Sequence, residues 1–173
     1  MANFVSMTAF VKIVTKQAND HWFNIAKTSQ GRKFKSGPWK PPPMDWIKAN
    51  MDSTFVNGNA SAGVVLRISN GSIIYAFTAS HHCIDSTTAE ALAILDTCFI
   101  LKKLKCKKVI LESDNLNAIA FFINGNSDNI FWACDPVITQ IKRIWNGWPC
   151  WQFKFKPRAS NGAAHSLAKW NSL

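Results

Sequence analysis

Between Trp46 and Ala79 the chain reads as three strand-like segments joined by tight turns, and this run limits the folds open to it more than any other feature. In the first segment, Trp46–Phe55, Ile47, Ala49, Met51 and Phe55 fall on one face, and Lys48, Asn50, Asp52 and Thr54 on the other. Asn57-Gly58-Asn59 reads as a turn and Ala62–Ile68 as an apolar strand. Ser69-Asn70-Gly71 is a hairpin signal, and Ser72–Ala79 a third strand. Strands joined so closely pair as an antiparallel meander, and its apolar face needs a covering layer.

The remaining sequence supplies that layer. Ser86 reads as the N-cap of a helix running to about Leu104, and Val109–Leu111 as a short buried strand leading into Glu112-Ser113-Asp114. Asn115–Asn124 and Pro136–Trp145 read as helices, Trp151–Phe155 as a strand, and Asn161 as the cap of a final helix through Lys169. A meander followed by alternating strands and helices predicts an α/β fold, a mixed sheet with helices on both faces. Upstream, the glycine-, proline- and lysine-rich stretch Gly31–Pro43 reads as a semi-extended linker. It divides an N-terminal extension, residues 1–38, from a domain spanning 39–173. Within the extension, residues 3–27 read as one or two short helices with Phe10, Ile13, Val14, Trp22 and Phe23 as an apolar stripe.

Composition narrows the function classes. Hydrophobic residues make up 47% of the chain and charged residues 17%, a globular rather than a disordered balance. Twenty basic residues against ten acidic ones give a formal charge of +10, which suits a polyanion held by its backbone. The same excess also serves solubility. Five cysteines without a C-x-x-C spacing read as reduced thiols of an intracellular protein. A zinc site combining them with His81 or His82 lacks the usual ligand spacing. No membrane span or secretion signal is expected, because Met1–Val14 has no basic residue ahead of its apolar stretch and is interrupted by Lys12.

Three carboxylates stand out against this basic background. Glu90 lies in Thr88-Ala-Glu-Ala-Leu-Ala-Ile-Leu95, a helix apolar around its whole circumference, where an unpaired charge is costly. The alternative is a groove-facing residue favoured by the helix N-terminus. Asp114 follows the short buried strand, at the end where ligands collect in open α/β sheets, or else it caps the next helix. Asp52 sits within the first strand, either partnered or at an exposed strand end. A cluster of the three would repel unless a hard cation, Mg²⁺ or Mn²⁺, were bound.

From Trp39 to Lys169 the chain resembles the ribonuclease H-like domain of plant non-LTR retrotransposon polyproteins and their stand-alone relatives. The resemblance runs through Trp39-Lys40-Pro41-Pro42, Lys48-Ala49-Asn50-Met51-Asp52, Ala62-Gly63-Val64-Val65-Leu66-Arg67 and Thr88-Ala89-Glu90-Ala91-Leu92. It continues through Leu111-Glu112-Ser113-Asp114, Arg158, Asn161 and Ala164-His165-Ser166-Leu167-Ala168-Lys169. It implies a three-layer fold around a five-stranded mixed sheet, three antiparallel strands then two parallel. It also implies a two-metal Mg²⁺ or Mn²⁺ site in a hydrolase acting on the RNA strand of RNA–DNA hybrids; separately, a monomer is the expected state, although the sequence leaves oligomeric state open. Asp52 would bridge both metals and Glu90 and Asp114 would bind the second, with Glu90 also near the 2′-hydroxyl that marks RNA. Metals roughly 4 Å apart would activate water on one side of the phosphate and stabilise the leaving oxygen on the other.

Two departures qualify this expectation. Ser53 stands where the family often has glycine, and His165 where it often has a fourth acid. A neutral imidazole there could ligate metal, though less well for Mg²⁺ than for softer ions, or could ligate nothing. Lys154, Lys156, Arg158 and Asn161, entering the final helix, are the expected phosphate contacts. The run Lys102, Lys103, Lys105, Lys107 and Lys108 reads as a solvated cap far from Glu90. Trp132, Trp145 and Trp151 read as core residues. The competing function is a domesticated module that binds nucleic acid or a protein partner without cutting. A 3′–5′ exonuclease would require acidic motifs that are not present.

Overall fold

The computed structural model describes residues 39–124 and 134–172. The helices expected within 3–27, most of the Gly31–Pro43 linker, and Trp132 lie outside the described residues. The meander forms as β1 (Ile47–Val56), β2 (Asn59–Arg67) and β3 (Ile73–His82). Then come α1 (Ser86–Lys103), β4 (Val109–Ser113), α2 (Leu116–Asn124), α3 (Asp135–Trp145), β5 (Trp151–Phe155), a 3₁₀ turn (Arg158–Ser160) and α4 (Gly162–Asn171). Strand order is β3-β2-β1-β4-β5, antiparallel across β1–β2–β3 and parallel across β1–β4–β5.

Local chemistry sets the boundaries. The β1–β2 hairpin pairs Val56 with Asn59, leaving Asn57 and Gly58 as a two-residue loop with φ of 50° and 81°. Two successive positive φ values are what the twist of a tight hairpin demands, and asparagine followed by glycine meets that demand best. Asp85, rather than Ser86, caps α1, its Oδ1 accepting from the Thr88 amide at 2.6 Å. Asn115 caps α2 through the Ala118 amide at 2.9 Å, which leaves the neighbouring Asp114 carboxylate out of the helix ladder.

One face of the sheet carries the main core. Ala49, Met51, Val64, Leu66 and Leu111 pack there against Ile94, Cys98 and Leu101 of α1 and Ile138, Ile141 and Ile144 of α3. Trp151 and Trp145 join this core, as their sequence context predicts. The opposite face is covered by α4, through a smaller cluster of Val65, Ala76 and Ala163. Gly63 is the reason α4 lies so close. A Cβ there would collide with the Ala164 carbonyl and the Ala168 amide. Coverage on both sides changes the meaning of the alternation in β1: Lys48, Asn50 and Asp52, the polar face, are as buried as the apolar one.

All five cysteines are free thiols. Among the described residues no helix is long and apolar enough to cross a membrane.

Candidate active site

Three elements deliver Asp52, Glu90 and Asp114 to one place. Asp52 lies in β1 on the face toward α4, Glu90 near the start of α1, and Asp114 one residue past the end of β4. All three line a cleft of about 330 Å³, together with Ser53, Asn115, Leu116, Asn117 and Arg158. A cleft of about 630 Å³ at the β1–β2 turn and the C-terminal end of α4 has no carboxylate in its wall.

The electrostatics of the cluster are unfavourable in the absence of a cation. Burial, and then the nearby Asp114 carboxylate, push the Asp52 carboxyl up to about 6, against the hydrogen bond and charge of His165 and the charge of Arg158. Burial, then Asp52 and Asp114, push Glu90 up to about 8, against hydrogen bonds from Ser53. Ser53 Oγ donates to Glu90 Oε1 at 2.8 Å, while Glu90 Oε2 is buried with no hydrogen-bond partner. In the sequence Ser53 is only a departure from glycine. Its hydroxyl proves to be the group that orients Glu90.

His165 lies in the first turns of α4, its Nδ1 2.6 Å from Asp52 Oδ2. Arg158 Nη2 is 3.0 Å from both ring nitrogens. Because Arg158 Nη2 is equidistant from the two ring nitrogens, it lies over the imidazole rather than along the in-plane lone pair of either, while Nδ1 pairs with Asp52. In this arrangement the imidazole is occupied by Asp52 and Arg158.

Asn161 differs from the expected phosphate contact. It is fully buried, and its Nδ2 donates to the Met51 carbonyl at 2.7 Å and to Asp114 Oδ1 at 3.2 Å. The last β1–β4 partners in register are Asn50 and Glu112, so Asn161 spans the gap where that ladder ends, beside both aspartates. Its side chain makes no cap bond to α4, although the residue stands at the N-cap position. Of the other expected contacts, Arg158 lines the cleft, Lys154 is exposed on β5 and Lys156 is partly buried just beyond it. The lysine run lies at the C-terminal end of α1 and the entry to β4, whereas Glu90 and Asp114 lie at the other ends of those elements.

The donors fit a hard divalent cation incompletely but recognisably. Oxygen ligands predominate, one carboxylate oxygen is buried and unpaired, and the charges destabilise one another. Among the described residues, no three histidine, cysteine or acidic side chains close into a ready-made cage. Mg²⁺ sites are commonly built from one or two carboxylates completed by water and substrate phosphate, so an open cluster is compatible with that chemistry.

Comparison with known proteins agrees with the topology. The model of the reverse transcriptase-like family matches residues 50–171. No curated protein matches the sequence. Among solved structures, RNase H1 of the halophilic archaeon Halobacterium salinarum superposes with a TM-score of 0.63 at 18% identity, covering 73% of this chain and 98% of that one. LC11-RNase H1, isolated from compost by a metagenomic approach, gives 0.65 at 19% identity, covering 72% and 93%. The same enzyme in complex with an RNA/DNA hybrid gives 0.61 at 18% identity, covering 70% and 91%. At such identities the likeness establishes the fold, and the family match runs from within β1 to the end of α4; the chain therefore belongs to the reverse transcriptase-like family and has the RNase H fold.

Proposed function

We propose that this protein is a metal-dependent endonuclease that hydrolyses the RNA strand of RNA–DNA hybrids. The observation that carries this reading is the convergence of Asp52, Glu90 and Asp114 on one cleft, with Glu90 Oε2 buried and unpaired. Mg²⁺ or Mn²⁺ held by these carboxylates would supply an activated water and charge stabilisation at the scissile phosphate. The chain's own residues then have definite tasks. Ser53 aims Glu90, Asn161 fixes Asp114 against β1, His165 and Arg158 orient Asp52, and Arg158 offers a cation to the phosphate backbone. A hybrid substrate is supported by the fold shared with an RNase H1 whose structure contains one. The motifs from Trp39-Lys40-Pro41-Pro42 to Ala164-His165-Ser166-Leu167 support descent from a plant non-LTR retrotransposon domain.

A second reading, a nucleic-acid-binding module that no longer cuts, is favoured by one observation. The side of Asp52 facing α4 is occupied by the His165–Arg158 pair rather than by a fourth acid. One assay separates the two readings. Purified protein is incubated with a hybrid labelled on its RNA strand, with Mn²⁺ or Mg²⁺. The nuclease cuts better with Mn²⁺, His165→Asp raises the Mg²⁺ rate, and Asp52→Asn lowers cutting by about a thousandfold or more with the fold retained. Hybrid binding without cleavage under either ion would establish the binding module.

A further inference from the structure

Behind Asp52 and Asp114, on the same sheet face, lies a buried layer of charge that the proposed chemistry does not use. Lys48, Asn50 and Glu112 are 5%, 0% and 1% exposed. Lys48 Nζ is 2.9 Å from Glu112 Oε1, and Asn50 Nδ2 donates to Glu112 Oε2 at 3.0 Å. Asn50 Oδ1 in turn accepts from Arg67 Nη1 at 3.2 Å and from Trp39 Nε1 at 3.0 Å. The Trp39 ring lies 4.8 Å from the Arg67 guanidinium and 5.3 Å from Lys48 Nζ, and Lys48 also donates to the Lys40 carbonyl at 2.6 Å. Trp39 therefore closes this layer from outside, ahead of β1.

Stability alone is a poor explanation for such a layer. Desolvating a lysine–glutamate pair offsets most of its attraction, and apolar replacements often do as well. Its position suggests another role. Asn50 and Glu112 are the last registered partners of β1 and β4; Asp52 lies two residues further along β1, and Asp114 two residues after Glu112, just past the end of β4. With a two-residue side-chain period, Asn50 and Asp52 share a face of β1. The two aspartates repel each other just where the ladder ends. The Asn50–Glu112 bond holds the strands on one side of that gap, and Asn161 on the other.

We propose that Trp39 is a positioning residue: by holding Asn50 against Glu112, it fixes the spacing of Asp52 and Asp114, so the segment before β1 belongs to the architecture of the site. The link to metal binding rests on the nuclease reading; the link to strand spacing does not.

The test uses the full chain with Trp39→Ala and Trp39→Phe, and with Trp170→Ala, an exposed tryptophan on α4, as the control. Hydrogen–deuterium exchange without metal is followed peptide by peptide, alongside calorimetric titration with Mn²⁺ and hybrid-cleavage kinetics. Trp39→Ala is expected to speed exchange at 50–53 and 112–114 about tenfold, leave β2–β3 unchanged, weaken Mn²⁺ binding about tenfold, and lower kcat without raising KM. Trp39→Phe keeps a ring and loses the N–H donor, so it should shift the same quantities about threefold. Exchange that stays at the wild-type rate, or rises evenly over the whole sheet, with Mn²⁺ affinity intact, overturns the proposal. If Trp39→Ala does not fold, Trp39→Phe decides by the same criteria. A wild-type protein that cuts no hybrid would count against the nuclease reading alone, since the exchange pattern still reports on Trp39.

Discussion

Glu90 sits in the first turns of α1 with Oε1 bonded to Ser53 and Oε2 buried without a partner. Its carboxyl is pushed from 4.5 up to about 8, so between those values the folded state holds a proton that the unfolded state has released. Unfolding free energy therefore falls as pH rises through that window, and Asp52, pushed up to about 6, adds in the same direction. Metal-free protein should lose at least about 3 °C of melting temperature between pH 5 and 8.5. Glu90→Gln, which keeps the acceptor for Ser53, should remove most of that slope, and Mn²⁺ should restore the melting temperature at pH 8.5. Calorimetry in chelator at constant ionic strength checks this; equal slopes for wild type and variant would refute it. Glu90 was legible in the sequence because a charge in a wholly apolar helix calls for an explanation. Ser53, by contrast, was not: a serine hydroxyl has no sequence signature until its acceptor is located. The buried bridging role of Asn161 was hidden for a similar reason, since its partners Met51 and Asp114 lie far away in the chain.

At the scale of elements, α4 is the piece that joins fold to site. It lies against β2 because Gly63 has no side chain, and that close approach sets the height at which His165 meets Asp52. Gly63→Ala places a methyl group against the backbone of Ala164 and Ala168, where no flexible side chain can give way. Overpacking of this kind costs about 1–3 kcal/mol. The variant should unfold at correspondingly lower denaturant and loosen the His165–Asp52 hydrogen bond, seen as a changed imidazole NMR shift; unchanged stability would show that α4 is not held by this approach. The strands and most helices were legible because turn residues and apolar periodicity punctuate them. The Asp85 cap of α1 was displaced by one residue from the expected Ser86, since both side chains can cap and only the backbone register chooses. The extension of β4 to Ser113 was missed because Glu112 interrupts the apolar run, while its buried partners Lys48 and Asn50 lie on another strand.

Over the whole molecule, a net charge of +10 attracts a polyanion, but its geometry decides which cations hold one. The lysine run at 102–108 supplies five positive charges at the C-terminal end of α1 and the entry to β4, where cations favour the helix dipole. The cleft lies at the opposite ends of these elements, and α1 alone, at 18 residues, separates the two regions by about 20 Å or more. At 0.1 M salt that separation exceeds the roughly 10 Å screening length, so the run can raise encounter rates at low salt yet contributes little to a held complex. Replacing Lys102, Lys105, Lys107 and Lys108 with glutamine should leave the slope of log Kd against log salt unchanged, as read by fluorescence anisotropy on a hybrid duplex. Replacing Lys154, Lys156 and Arg158 instead should reduce its magnitude by about 0.7–0.9 for each phosphate that is no longer neutralised. The opposite result, a slope that responds to the run and ignores the cations beside α4, would move the nucleic-acid path to the far edge of the sheet and separate binding from the carboxylate cleft.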